Sequence, residues 1–328
     1  VSKDATIEQK TTSGDAETAH AWYGALLARC GTLPPVATAV AHPCDPHALG
    51  AAVEAAALGL IAPILVGPEA RIRQAAIEAN VEIGHLEIEH APHSHAAAAR
   101  AVALVRSGKA QLLMKGALHT DELMHEVMAR DTGLRTERRI SHVYLMDVPG
   151  FGRPLLITDA AINIAPDLAV KRDIVQNAID LAHVMLIPNP KVAILSAVET
   201  VNPQIQSTLD AAALCKMADR RQITGGVLDG PLAFDNAISA QAARDKGIVS
   251  AVAGQVDILV VPDLVSGNIL AKQLIFMAHA DAAGIVLGAR VPIILTSRAD
   301  AERTRIASCA VAALMAQLPV IAVKPDLP

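Results

Sequence analysis

The sequence predicts an α/β protein organised around mainly parallel sheet, and three observations predict it. Short runs of Val, Ile and Leu alternate with longer Ala-rich amphipathic stretches, the trace of repeated strand–helix–strand units. Hydrophobic residues make up 52% of the chain and aromatics only 2%, so the apolar mass is aliphatic and largely Ala. Small Ala faces let helices lie close against a branched aliphatic sheet, which favours a layered architecture. The third observation is length: 328 residues suggest about two domains at roughly 150 residues each.

The elements follow in order. The opening, 1–18, is polar and charged and reads as a linker-like tail without a secretory pattern. A helix is expected at about 15–30, then a strand at 36–41, an Ala-rich helix at 47–58, a strand at 63–66 and a helix at 68–79. A polar loop carrying His85, His90 and His93 leads into a helix that begins after Ser94. Apolar runs predict strands at 111–114, at about 143–148 and at 154–159. A long amphipathic stretch predicts a helix at about 167–185, with a strand at 192–197 behind it. Helix 207–219, strand 225–229, helix 234–245, strand 257–261 and helix 267–279 continue the alternation. Strands at 284–287 and 292–296, a helix at 300–317 and an apolar run at 319–323 close the chain. No internal repeat or low-complexity tract interrupts the pattern.

Composition narrows the function classes. Lys plus Arg is 28 and Asp plus Glu is 33, a net charge of −5, so there is no basic footprint for nucleic acid or an anionic membrane. One Trp, two Tyr and three Phe are too few for a base-stacking platform. An anionic ligand must therefore be held by a few local cations. Cys30, Cys44, Cys215 and Cys309 form no C-x-x-C pair and read as buried thiols in a reducing cytoplasm. The most apolar stretch, 307–323, is broken by Gln317 and Pro319 and does not qualify as a membrane span. The histidines at 85, 90, 93 and 95 lack an H-E-x-x-H frame and read as solvated side chains, with no metal site expected.

In parallel α/β sheets ligands bind beyond the carboxyl ends of strands, so chemistry is sought in the turns that follow them. Four stand out. In Met114-Lys115-Gly116-Ala117-Leu118-His119-Thr120-Asp121 a strand end delivers a cation and a glycine, and Thr120 or Asp121 can cap the next helix, an anion pocket in outline. In Asp229-Gly230-Pro231-Leu232-Ala233-Phe234-Asp235-Asn236 the Gly-Pro step predicts a tight bend into a helix. In Ser266-Gly267-Asn268-Ile269-Leu270-Ala271-Lys272, Gly267 and Asn268 are expected to open a helix with Lys272 one turn on, on the face of Asn268. In Thr296-Ser297-Arg298-Ala299-Asp300 a buried strand delivers a hydroxyl, a guanidinium and a carboxylate within four residues. Arg298 suits bidentate phosphate binding, Ser297 can donate to a developing oxyanion, and Asp300 is also a candidate N-cap. No G-x-G-x-x-G, P-loop or G-x-S-x-G motif accompanies these turns.

Taken in order along the chain, these segments resemble the phosphate acetyltransferase/phosphate butyryltransferase family. The carriers are Met114-Lys115-Gly116-Ala117-Leu118-His119-Thr120, Ser141-His142-Val143, Ile157-Thr158-Asp159-Ala160-Ala161-Ile162-Asn163-Ile164, Asp229-Gly230-Pro231-Leu232-Ala233, Gly267-Asn268-Ile269-Leu270-Ala271-Lys272 and Ser297-Arg298-Ala299-Asp300. The resemblance spans roughly 36–316 and is similar in look to the C-terminal acyltransferase region of bifunctional enoyl-CoA hydratase/phosphate acetyltransferases. It implies two three-layer α/β domains of the isocitrate/isopropylmalate-dehydrogenase-like kind. The first, discontinuous, domain would comprise 19–142 plus 292–328 and the second 143–291, with the active site in the cleft between them. It also implies a cytoplasmic homodimer and no tightly bound cofactor.

The implied reaction is reversible exchange of acyl-CoA and inorganic phosphate for acyl phosphate and CoA, both substrates bound together. Ser297, Arg298 and Asp300 take the catalytic roles in that reading. Lys115, Gly116, His119, Thr120, Asp159, Gly230, Asn268 and Lys272 take the substrate. In phosphate acetyltransferases proper an Asp stands seven residues after the Ser of Ser-Arg; that position is Thr304 here. Asp300 is the nearest carboxylate, with Asp159 and Glu199 next as candidate bases. The missing Asp motivates an alternative, a non-catalytic CoA- or acyl-phosphate-binding module or regulatory partner of an enoyl-CoA hydratase. A dehydrogenase of the related architecture is a third reading, without a cluster of metal-binding carboxylates to support it.

Overall fold

The computed structural model describes residues 21–297 and 300–318. The tail at 1–18, Arg298, Ala299 and the apolar run at 319–323 lie outside the described residues. The chain runs α1 (Ala21–Cys30), β1 (Val36–Ala41), α2 (Pro46–Ala57), β2 (Ile61–Gly67), α3 (Glu69–Ala79), β3 (Glu87–His90), α4 (Ser94–Arg106), β4 (Leu112–Lys115), α5 (Thr120–Met128), β5 (Ser141–Asp147) and β6 (Pro154–Thr158). It continues α6 (Leu168–Val184), β7 (Lys191–Leu195), α7 (Gln206–Asp219), β8 (Val227–Leu232), α8 (Phe234–Ile238), α9 (Ala240–Asp245), β9 (Ile258–Val260), α10 (Leu264–Met277), β10 (Asp281–Leu287), β11 (Ile293–Ile294) and α11 (Glu302–Gln317).

The α/β class and the mainly parallel pairing are as expected, but the two sheets are joined edge to edge. The eleven strands of the described residues form one sheet in the order β3-β2-β1-β4-β11-β10-β5-β6-β9-β7-β8. The join is made by β10, which runs antiparallel to β11 on one side and to all seven residues of β5 on the other. β5 is in turn antiparallel to β6, while the flanking strand pairs are parallel. Strands such as β1 and β4 are buried on both faces, which is why they read as continuous apolar runs.

Local chemistry sets the helix starts. Asp45 caps α2 by accepting from the Ala48 amide at 2.8 Å, with Pro46 in the first turn. Asp167 caps α6 through the Val170 amide at 2.8 Å, and Asp263 caps α10 through the Ser266 amide at 2.9 Å. The last cap corrects the expectation at Gly267: the helix begins at Leu264, so Gly267 lies in its first full turn and its amide donates to the Asp263 carbonyl. Gly267 is small for a packing reason, since a Cβ there would stand 2.8 Å from the Asp159 carbonyl oxygen.

Other expectations shift for equally local reasons. Gly230-Pro231 does not lead into a helix; it lies inside β8, which runs on to Leu232 with its register to β7 shifting between Asp229 and Leu232, as an edge strand tolerates a residue that cannot donate to the ladder. The helix expected at 234–245 is two, broken at Ser239, whose hydroxyl caps α9. Thr120 is the first residue of α5 and not its cap, a position held by the exposed His119 without a side-chain bond. β3 is an additional strand, the charged outer edge of the sheet. His90 belongs to it, and His93 caps α4 through Nδ1.

Candidate active site

β4 and β11 are parallel neighbours, Leu113 opposite Ile293 and Met114 opposite Ile294, so their carboxyl ends emerge side by side. This register brings the first and fourth turns together. Asp45, Lys115, Gly116, Thr296, Ser297 and Arg305 line one narrow pocket. Lys115 is buried and directs its ammonium to the carbonyls of Gly116 (3.2 Å) and Leu118 (3.1 Å). Gly116 permits the approach: a Cβ there would stand 2.5 Å from the Ala41 oxygen and 2.6 Å from the His42 oxygen.

Ser297 and Asp300 form a closed turn. The Asp300 carboxylate accepts from the Ser297 amide at 2.6 Å, and the Asp300 amide donates back to the Ser297 carbonyl at 3.2 Å. Asp300 therefore folds back onto Ser297, while the cap position of α11 is Ala301. Arg305, buried in the first turns of α11, donates to the Ser297 carbonyl at 3.3 Å.

Burial raises the Asp300 carboxyl above the usual carboxylate range, against the Ser297 amide and the positive charges of Arg305, Lys115 and Lys272. Those cations come from both halves of the sheet: Lys115 ends β4, Arg305 is on α11, and Lys272 is exposed on α10. Asn268, one turn before Lys272, donates to the Ala160 carbonyl at 3.3 Å and ties α10 to the loop after β6. The Asp159 carboxylate holds that same loop, accepting from the amides of Ala161, Ile162 and Asn163 at 3.0–3.1 Å and from the Asn163 side chain.

From the β5 side comes Tyr144, whose hydroxyl is pushed up to about 12 by burial and by the Asp300 charge. Its ring meets His142 edge-on at 4.4 Å. His142 is fully buried, neither ring nitrogen has a hydrogen-bond partner among the described residues, and burial pushes its pKa down to about 3. It is a neutral aromatic wall behind Tyr144. Thr304, where acetyltransferases proper carry Asp, is buried within α11, its carbonyl accepting from Ser308.

Lys115, Gly116, Ser297, Asp300 and Lys272 are thus brought together, with Asn268 and Asp159 on the adjoining loop. Gly230 is elsewhere: β8 is seven steps along the sheet from β4, and a Cβ on Gly230 would stand 2.8 Å from Ile194. Glu199 pairs with Lys246 at 3.4 Å. Arg305 and Tyr144 were not singled out in sequence. The signal for Arg305 is an arginine at the point where α11 turns from polar (Glu302 to Arg305) to apolar, since an arginine is seldom buried without a task.

Lys115 and Arg305 at the narrow pocket stand close enough to Asp300 for their charges to act on its carboxyl, an arrangement of cations and a raised carboxyl suited to an anion and to proton transfer. Comparison with known proteins agrees. Residues 90–313 match the family model described as phosphate acetyl/butaryl transferase. The chain is 67% identical over 294 residues to a phosphate acetyltransferase of Rhizobium meliloti, covering 90% of this chain and 93% of that protein. It is 43% identical over 281 residues to a phosphate butyryltransferase of Clostridium acetobutylicum, covering 86% and 93%. Among solved structures, a branched-chain phosphotransacylase from Enterococcus faecalis superposes with a TM-score of 0.76 at 31% identity, covering 86% of this chain and 99% of that one. A 4-hydroxythreonine-4-phosphate dehydrogenase from Burkholderia phymatum shares the fold alone, at a TM-score of 0.53 and 14% identity. The chain belongs to the phosphate acetyl/butaryl transferase family.

Proposed function

We propose that the chain catalyses the reversible transfer of a short acyl group between CoA and inorganic phosphate, by direct reaction in a ternary complex. The observation that carries this reading is the convergence of Lys115, Arg305 and Lys272 on Asp300, beside the Ser297 turn. In the direction that makes thioester, the CoA thiol gives its proton to the Asp300 carboxylate and its sulfur attacks the acyl carbonyl carbon. A free thiol with a pKa near ~8.5 needs such help at neutral pH. The carbonyl oxygen gains charge and Ser297 donates to it. The carbon–oxygen bond to phosphate then breaks, and phosphate departs with the electron pair onto Arg298 and Lys115. The charge on Lys272 and the amide of Asn268 suit the phosphate groups of CoA, and Thr120 and His119 rim the same turn. Asp159 positions the loop beneath them.

CoA is substrate here, and the reading needs no tightly bound cofactor. It takes 19–142 plus 292–328 and 143–291 as two units hinged at β10, with the cleft between them. It also takes the enzyme to be cytoplasmic. The described cysteines are all free thiols, and no helix among the described residues is long and apolar enough to cross a membrane. The enzyme is read as a homodimer, and the exposed apolar face of α10 is the surface offered to the second copy.

The test is phosphate-dependent release of CoA from acetyl-, propionyl- and butyryl-CoA. Turnover with at least one is expected, and none with any of them refutes the reading. Arg298→Ala is expected to lower kcat/KM for phosphate by about a hundredfold, the loss of a bidentate charge-assisted contact; unchanged phosphate kinetics would remove Arg298 from that role.

A further inference from the structure

At the opposite end of the sheet from Ser297 lies a second cavity, of about 270 Å³. It sits at the amino ends of β4 and β11, where the turn from Gly288 to Pro292 joins β10 to β11. Its floor is apolar (Leu287, Val291 and Met315) and its rim carries Arg138 and Arg290. The walls are built, not loose. Thr136 donates to the Gly288 carbonyl at 2.7 Å, and the buried Asn177 donates to the Arg139 carbonyl at 2.9 Å and to Ser141 at 2.8 Å. Gly288 has φ +87°, and a Cβ there would stand 2.3 Å from the Arg139 oxygen, so the turn can press against the 135–139 loop only with glycine.

The charge at this cavity runs against that of the whole protein. The chain is net −5, yet the rim carries Arg138 and Arg290, and the loop that supplies Arg138 also carries Arg135 and Arg139 around Glu137. Arg138 is neutralised by Asp180. The guanidinium groups of Arg135, Arg139 and Arg290 make no ion pair or hydrogen bond among the described residues. An apolar floor beside the exposed Arg290 guanidinium, with Arg138 alongside it, suits a ligand with an apolar body and one anionic group.

We propose that this cavity is a second ligand site, separate from the catalytic cleft, for a small organic anion with an apolar body and a carboxylate or phosphate group. Arg290 is the principal anion contact, Arg138 is held in place by Asp180, and Met315 packs on the apolar part. The site lies at the root of the active-site loop. β11 starts beside it and leads directly to Ser297, and α11 brings Met315 to it from Glu302, roughly 20 Å away along the helix axis. A ligand here therefore contacts both elements that carry the Ser297–Asp300 turn.

The probe is 8-anilinonaphthalene-1-sulfonate, an apolar fluorophore bearing one fixed anion, titrated into the full chain with the cleft saturated by CoA and phosphate. One saturable equivalent is expected. Arg290→Ser is expected to weaken it about tenfold, the loss of one charge-assisted contact. Met315→Trp, which fills the floor without touching the charge, is expected to abolish it. Both variants should keep wild-type basal turnover. Displacement of the probe by citrate or by glycerol phosphate decides between a carboxylate and a phosphate ligand. The proposal is overturned if no probe binds to the CoA-saturated protein, or if neither substitution weakens binding. Failure of both anions to displace the probe, or loss of basal turnover in Arg290→Ser, would also overturn it.

Discussion

Asp300 carries two tasks in one side chain. One carboxylate oxygen accepts from the Ser297 amide at 2.6 Å, and in the proposed reaction the carboxyl is the proton acceptor, under the charges of three cations. Its raised pKa comes mainly from burial, which makes it a stronger base than an exposed aspartate. In the thioester-forming direction the rate should fall as pH drops through this raised value, because the protonated carboxyl cannot accept the thiol proton. Asp300→Asn keeps an acceptor for the Ser297 amide but removes the base. A loss of about a hundredfold in kcat is expected, along with disappearance of the acidic limb of the pH–rate profile. A wild-type profile in the variant would exclude Asp300 as base. A stability effect follows with a definite sign. A folded-state carboxyl pKa above its unfolded value makes the charged form costly, so native stability declines as pH rises through that window. Asp300→Asn should therefore melt at or above the wild-type temperature at neutral pH while being nearly inactive, and matched melting curves check this. The sequence made this residue visible because Ser-Arg-Ala-Asp follows a buried strand. It could not show Arg305 or Tyr144, which arrive from a helix and a strand whose own patterns look like ordinary core.

Between elements, the most deeply buried ion pair among the described residues joins α6 to α7. Lys171 on α6 meets Asp210 on α7 at 2.6 Å with side-chain exposures of 7% and 9%, and Gln206 donates to the second Asp210 oxygen at 2.8 Å. Removing one partner strands a buried charge, so Lys171→Met is expected to cost about 3–5 kcal/mol in urea unfolding. The double change Lys171→Met with Asp210→Leu should recover much of that loss; equal losses in single and double variants would assign the cost to packing alone. Most elements of this kind were legible in the sequence, because buried parallel strands are unbroken aliphatic runs and the helices between them are Ala-rich. β3 was not, since Glu87-Ile88-Glu89-His90 is a charged edge strand with no apolar run to mark it. β8 was misplaced at Gly230-Pro231 because proline is permissible only at an edge, and edge position is a property of the whole sheet. The joining of two sheets into one was illegible for the same reason. Nothing local to β10 says that β5 and β11 are its neighbours.

At the scale of the molecule, α10 joins the loop after β6 to the outer surface. Gly267 and Ala271 face inward, Asn268 bonds the loop after β6, Lys272 is exposed, and Val265, Ile269, Phe276 and Met277 are 60%, 61%, 64% and 74% exposed. Val265, Ile269 and Phe276 recur at helical spacing on one stripe opposite the buried face, with the exposed Lys272 between Ile269 and Phe276, so they present an apolar strip interrupted by a single charge. Burying each such side chain contributes about 1.5–3 kcal/mol, and two copies of one helix face supply matching strips across a two-fold axis. In the homodimer reading this contact also braces the helix that carries Lys272, so dissociation should reach the active site. Ile269→Glu with Phe276→Glu places like charges on both sides of that axis without touching the buried face. The wild-type chain is expected to sediment as a dimer at micromolar concentration and the double variant as a monomer with an unchanged far-ultraviolet dichroism spectrum. The monomer should keep the Ser297 turn but hold Lys272 less firmly, which predicts a raised KM for CoA with a smaller change in kcat. A wild-type monomer would remove the dimer. A dimeric double variant would move the interface off α10, and a monomer with wild-type KM would uncouple the helix brace from the cleft.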